Sequence, residues 1–340
     1  MHSVGLAGYG SAGRHIHAPL IREAGLRVAA VSTRNPERVA QAREELAGAD
    51  VVDDLDALLA RDDLDVIVLA TPSGDHADQA MACIEAGVPV VVDKPLATDA
   101  PAAAAVVAAA RAAGVLLTVF QNRRYDDSVR TLEKVVSDGT LGCLLRLELR
   151  WERWRPTSLG RWREQFAAER GGGVLLDLQT HLIDQAIRIA GPVSEVYARL
   201  ASHSTVAEDD ALLICTHSTG VVSELSTTSL AGAPGPRIRA LGERAAFVLN
   251  AFGSELDVYP DLLNEPGHCG WLYRGQEREQ VPGAGGIPAQ FYRDVSRALV
   301  SGERADLPVD PVDSVRVLEV IDAARVSARS GEAVHLDRAG

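Results

Sequence analysis

An α/β architecture in two parts is predicted by three observations on this 340-residue sequence. Over residues 1–120, short apolar runs alternate with helical stretches, the pattern of a parallel sheet wrapped by helices. The first of those runs ends in Gly8-Tyr9-Gly10-Ser11-Ala12-Gly13, a Gly-x-Gly-x-x-Gly loop at a strand-to-helix junction. Beyond residue 120 the rhythm changes to longer alternating runs, which suit an open, mostly antiparallel sheet with a few helices. The expected organisation is a Rossmann-like dinucleotide-binding domain over 1–120 and an α+β domain for substrate binding and oligomerisation over 121–340.

In the first part, strands are expected at 2–7, 26–31, 65–70, 88–92 and 115–120, with a weaker one near Val51. All are nearly wholly apolar, as strands covered on both faces should be. Helices are expected at 12–24, 36–47, 76–86 and 100–113. The last has capping residues at Thr98 or Asp99, Pro101 in its first turn and Gly114 to end it. In the second part a helix at 128–138 precedes an alternating run at 141–154. Further strands are read near 193–202, 211–229 and 237–249, with a hairpin turn at Ser218-Thr219-Gly220. Helices at 174–190 and 311–329 complete the pattern, and the Gly/Pro-rich stretches 231–236 and 282–288 are loops.

Composition narrows the partners. A hydrophobic content of 46% with 24% charged residues is that of a globular protein with an ample core. The net charge of −13 opposes non-specific binding to nucleic acid or an anionic membrane, so a small-molecule partner is expected. Cys83, Cys143, Cys215 and Cys269 form no Cys-x-x-Cys pair and suggest neither zinc nor a disulfide framework, which fits a reduced cytosol. The first strand begins too early to leave room for a signal peptide, and the longest apolar run, 102–110, is far short of a membrane span. His15-Ile16-His17 lacks companion acids or cysteines for a metal, and Glu208-Asp209-Asp210 reads as a solvated loop before a strand.

Each glycine of the loop answers a different need. Gly8 permits the tight turn, Gly10 lets backbone approach a pyrophosphate alongside Ser11 and Ala12, and Gly13 lets the helix pack on its strand. A unit selective for NAD usually places an acid about 20 residues on, to hold the adenosine ribose hydroxyls. Here the second strand runs into Ser32-Thr33-Arg34-Asn35-Pro36, and the first acid after it is Glu37. Hydroxyls and a guanidinium suit a 2′-phosphate, which favours NADP(H) over NAD(H), with Arg38 one helical turn further on available to the same pocket.

Two groups carry the candidate chemistry. Lys94 ends the strand at 88–92, at the carboxyl edge of a parallel sheet where ligands of open α/β folds bind. A lysine there can polarise a substrate oxygen or relay its proton. The stretch from Gly171 to Asp184 leads into a helix carrying Asp177, His181 and Asp184 at i, i+4 and i+7, with an apolar stripe of Leu178, Leu182, Ala186 and Ile189 to anchor it. A carboxylate one turn from a histidine can orient the imidazole and support its charge when it takes a proton.

The chain resembles the Gfo/Idh/MocA family of NAD(P)-dependent oxidoreductases over nearly its whole length. The resemblance rests on the glycine loop, Ala70-Thr71-Pro72-Ser73-Gly74-Asp75-His76, Asp93-Lys94-Pro95 and the block from Gly171 to Asp184. It implies cofactor contacts from Thr71, Pro72, His76 and Asp93, a catalytic Lys94 whose bond to proline is often cis in the family, and His181 as general base beside Asp177. Asp93 replaces the family's usual Glu, and Gln179 stands where many members have Gly, at the helix entry or pocket floor. The stretches 17–20, 120–126 and 153–164 look similar to the branch with NADP-dependent scyllo-inositol dehydrogenases. That likeness implies that Trp162 and Arg163 reach the cofactor, and that Asn122, Arg124 and Arg155 line a polyol pocket.

The expectation is therefore an NADP(H)-dependent oxidoreductase, with NAD possible, acting on a secondary alcohol or ketone of a cyclitol or sugar and needing no metal. It is expected to be cytoplasmic and a homodimer or homotetramer, as family members commonly are. A redox-assisted glycoside-cleaving enzyme and a non-catalytic NADP-sensing regulator on the same fold stand as alternatives.

Overall fold

The computed structural model describes residues 1–250 and 260–336. It divides into two compact units, one of Met1–Asn122 with Pro288–Leu318 and the other of Arg123–Ile287 with Glu319–Gly340. The parts of the expected second domain at 251–259 and 337–340 lie outside the described residues.

The first unit opens with β1 (Ser3–Ala7), a π-helical turn at Gly13–His17 and α1 (Ala18–Glu23). There follow β2 (Arg27–Ser32), α2 (Pro36–Glu45), β3 (Asp50–Val52), α3 (Leu55–Leu59), β4 (Val66–Leu69), α4 (His76–Glu85), β5 (Val90–Asp93), α5 (Ala100–Ala113) and β6 (Leu117–Phe120). The six strands form a parallel sheet in the order β3-β2-β1-β4-β5-β6. Every residue of β4, β5 and β6 is buried, which is why these runs show no alternation. Side-chain caps start the helices: Asn35 accepts from Arg38 N at 3.1 Å and Asp99 from Ala102 N at 2.8 Å. Gly114, at φ +69°, ends α5. The chain reverses direction of sheet growth beside β1, and crevices outside strand carboxyl ends at such a switch point are where open α/β sheets bind ligands.

The second unit contains α6 (Asp127–Ser137), β7 (Leu144–Glu152), α7 (Trp162–Gln165), a π-helical stretch Leu175–Gln179 leading into α8 (Thr180–Ala190), β8 (Val193–Ala201), β9 (Asp210–His217), β10 (Val222–Thr228), β11 (Ile238–Gly242), β12 (Ala246–Leu249), β13 (His268–Arg274) and β14 (Glu277–Pro282). With the short β15 (Val334–His335), the described residues form a nine-stranded sheet ordered β14-β13-β12-β11-β7-β10-β9-β8-β15. Only the β7–β10 pairing is parallel. The predicted turn joins β9 to β10, with Gly220 at φ +86° donating to His217 O at 2.9 Å. One sheet face buries Leu147, Leu149, Leu213 and Leu225. The other carries a cross-strand ion ladder: Arg150 reaches Glu148 at 2.8 Å, Glu224 at 3.0 Å and Glu152 at 3.9 Å.

Two helices, α9 (Gln290–Ser301) and α10 (Pro311–Ser330), follow β14. The sequence reading places 288–318 in the second half, whereas here they cluster with the first unit. The reason is apolar: Phe291 and Tyr292 are fully buried, and Phe291 meets Phe120 edge-on at 4.8 Å. Thr118 at the sheet's edge strand also donates to Val309 O at 2.8 Å. Among the described residues no helix is long and apolar enough to cross a membrane.

Candidate active site

The glycine loop shows three distinct steric demands. Gly8 has φ +95°, and a Cβ there would stand 2.7 Å from Ala70 O. At Gly13 a Cβ would lie 2.1 Å from Gly8 O, so only glycine lets the helix begin against the turn. Gly10 is different: a Cβ would meet only the Arg38 guanidinium, at 3.7 Å, so this side of the loop is an open cradle with a cation beside it. Tyr9 braces the loop from beneath, donating to Glu45 at 2.8 Å, while Arg14 holds the same carboxylate. Burial and the Glu45 bond push the Tyr9 phenol up to about 12. The cradle fits the phosphates of a dinucleotide, with exposed Ser11 and half-buried Ala12 on its rim.

At the adenosine end expected from the sequence, Ser32 and Thr33 are buried and Arg34 is largely exposed. Arg34 is not alone, because its guanidinium meets Asp54 Oδ2 at 2.6 Å. Asp54 also accepts from Ala57 N at 3.0 Å, capping α3, and these contacts hold its carboxyl below the usual range. An acid thus reaches the pocket from the third strand's exit, where the sequence reading sought none.

The candidate lysine sits in a crowded turn. Asp93 and Lys94 are both buried, the Lys94–Pro95 bond is cis, and Lys94 N donates to Asp93 Oδ1 at 2.8 Å. His17, discounted as a metal ligand, is fully buried with Nδ1 2.5 Å from Tyr292 Oη and Nε2 3.7 Å from Asp93 Oδ2. Burial opposes the Asp93 charge, but the His17 interaction and the charges of His17, Lys94 and His76 outweigh it and hold the carboxyl at about 2. A depressed acid pKa stabilises the fold above the unfolded value near 3.8, and that stability is lost as pH falls toward 2. Acid titration of unfolding free energy should show wild type losing on the order of 2 kcal/mol more than Asp93→Asn between pH 4 and 2. Parallel curves for the two proteins would refute this. Thr71 donates to Gln79 at 2.6 Å, Pro72 is exposed, and His76 is buried against the same turn.

In the second unit, Arg155, Arg163 and Asp177 line one narrow cavity of about 70 Å³, together with Arg153 and Glu208. Asp177 Oδ1 lies 3.2 Å from Arg163 Nε, and Arg163 covers the Trp162 ring at 4.3 Å. His181 is buried with its ring tilted 33° to that of Trp151, centroids 5.6 Å apart, and Arg123 and Arg237 flank the Trp151 ring at 4.8 and 4.0 Å. Arg124 is buried and pairs with Asp184, with Nε 2.9 Å from Oδ2. Of the three residues at i, i+4 and i+7, Asp177 lies in the π-helical stretch and His181 and Asp184 in α8. Asn122 closes the first segment of the other unit and is half-buried.

Comparison with known proteins completes the picture. The oxidoreductase family with an NAD-binding Rossmann fold, Gfo/Idh/MocA, matches residues 2–121, and that family's C-terminal domain matches residues 129–248. The chain belongs to the Gfo/Idh/MocA family. It is 32% identical to the oxidoreductase YdgJ of Escherichia coli, with 96% of each chain covered. Against scyllo-inositol 2-dehydrogenase (NADP(+)) IolW of Bacillus subtilis it is 29% identical, covering 98% of this chain and 96% of the relative. The YPO2259 structure from Yersinia pestis superposes with a TM-score of 0.87 at 27% identity, covering 100% of this chain and 98% of that one. This Gfo/Idh/MocA member is accordingly an oxidoreductase.

One local expectation needs correction in this family member. Glu208 and Asp209 are buried and not part of a solvated loop. Glu208 accepts from Leu175 N at 3.1 Å at the start of the π-helical stretch, its carboxyl pushed up by burial. Asp209 accepts from the backbone of His203 and Ser204 at 2.9 and 2.7 Å. Gln179, the residue that stands where many family members have Gly, is fully buried and donates to Ala211 O at 3.2 Å and Leu225 O at 2.9 Å, tying the helix entry to two strands.

Proposed function

We propose that this oxidoreductase is an NADP(H)-dependent dehydrogenase or reductase of a secondary alcohol or ketone in a cyclitol or sugar. The observation that carries the reading is Lys94, buried beside an ionised Asp93 at the carboxyl end of β5, in the unit that bears the glycine cradle. A bound nicotinamide supplies the acceptor, or in reverse the donor, for a hydride at the carbinol carbon. Lys94 polarises the substrate oxygen, and His181 takes the hydroxyl proton in the oxidative direction. Asp177, paired with Arg163, supports the charge that develops. Arg155, Arg124 and Asn122 are assigned to hydroxyl recognition, and Trp162 and Arg163 to the cofactor. IolW, covered almost end to end at 29% identity, supports the substrate class by its name.

Cofactor choice rests on Arg34 and Arg38, the second of which stands beside Gly10. Asp54 favours a second reading, in which its carboxylate accepts ribose hydroxyls and NAD(H) is also used. A spectrophotometric screen of inositol isomers, inososes and aldoses with both cofactors tests both points. The expected result is preferred turnover with NADP(H), a preference that Arg34→Ala lowers and Asp54→Asn raises by roughly tenfold each. Preference for NAD(H) in the wild type would remove the role given to Arg34. Assembly into a homo-oligomer is part of the same reading, through the sheet face where Tyr197 and Leu212 are exposed.

A further inference from the structure

His76 opens α4, and its ring is 1% exposed. Nδ1 lies 2.7 Å from Pro95 O, and Nε2 lies 3.0 Å from Thr71 O. A carbonyl oxygen can only accept, so each contact requires a proton on the nitrogen that faces it. A neutral imidazole has a single N–H and would set one ring lone pair against a carbonyl lone pair. We propose that His76 is an imidazolium in the folded protein, a two-armed bracket that joins the turn after β4 to the turn after β5 and thereby positions Lys94.

A buried cation is tolerated only with compensation. The two carbonyls satisfy its protons, and Asp93 at the end of β5 supplies a countercharge. The titratable groups beside Asp93 include Lys94 on the same turn and His17, 3.7 Å from Asp93, from the helix after the glycine loop. On its own element Asp75 and Asp78 are exposed, and Gln79 is engaged by Thr71. Both nitrogens thus face protein carbonyls, which makes His76 a positioning residue in this reading. The step from bracket to turnover rests on the proposed role of Lys94; the charge of the ring does not.

The charge is read without substrate. In the full-length protein with ¹⁵N-labelled histidine, long-range ¹H–¹⁵N correlation at about pH 8, well above the ordinary histidine pKa near 6.5, should show an imidazolium pattern that is lost in His76→Gln. A neutral-tautomer pattern for that residue overturns the proposal, and if the variant fails to fold, a wild-type spectrum with no imidazolium does so too. In the folded variant the Lys94 amide resonance should move, and an unmoved one overturns the positioning role. Turnover should fall about tenfold while NADPH affinity stays within about twofold. Lost affinity with kcat retained would make His76 a cofactor ligand instead. If wild type turned over no polyol or sugar, the proposed function would fail while the ring spectrum and the Lys94 resonance still decided the bracket.

Discussion

Lys94→Ala is expected to lower kcat by on the order of 10²–10⁴-fold while NADPH still binds within about threefold of wild type. The asymmetry has a structural basis. Lys94 is buried at the strand end, away from the glycine cradle's own steric demands, so its ammonium group can be removed without touching the loop. Stopped-flow fluorescence of NADPH gives the affinity, and turnover on the best substrate of the screen gives kcat. Near-normal kcat in the variant would defeat the assignment of Lys94, whatever the affinity.

The second large effect comes from the loop itself, and it is a contrast between two glycines. Gly13→Ala forces a Cβ to within 2.1 Å of Gly8 O, a backbone atom that cannot swing away. That variant should lose at least about 100-fold in NADPH affinity and melt several degrees lower, since 1 kcal/mol shifts a chain of this size by about 2–4 °C. Gly10→Ala meets only the mobile end of Arg38 at 3.7 Å, so its melting temperature should hold while NADPH affinity falls. Unchanged NADPH binding in Gly10→Ala would show that the phosphates lie elsewhere.

The parallel sheet was readable because each strand is buried on both faces and appears in the sequence as an unbroken apolar run, Val90–Asp93 for example. The edge strand β14 was not, because Glu277–Pro282 is mostly exposed and polar and carries no period. Helix α3 escaped for a related reason: five residues are too few to display a 3.6-residue repeat, and its one signal was Asp54 as a cap. The same residue explains the gap at the cofactor end. Arg34 was visible as a basic residue after β2, but the carboxylate it meets is 20 positions away and joins it only through the sheet order. At the lysine, the Asp-Lys-Pro turn was legible as a motif, whereas His17 and Tyr292, 275 positions apart, met only in three dimensions. Buried Glu208 and Asp209 were misread because a run of acids ordinarily signals water, and nothing local announced the backbone donors that hold them.

The discontinuity of the first unit bears on how this chain is made. Ribosomal synthesis delivers all six parallel strands by Phe120, yet the segment that packs Phe291 and Tyr292 against them arrives some 170 residues later. Until Pro288–Leu318 emerges, Phe120 lacks Phe291 and Tyr292, His17 lacks its phenol and Thr118 lacks its carbonyl. The nascent sheet therefore waits, with an apolar edge exposed to the surroundings, while the intervening unit is translated. For this protein, residues that stay uncovered through most of biosynthesis are ones buried in the finished first unit.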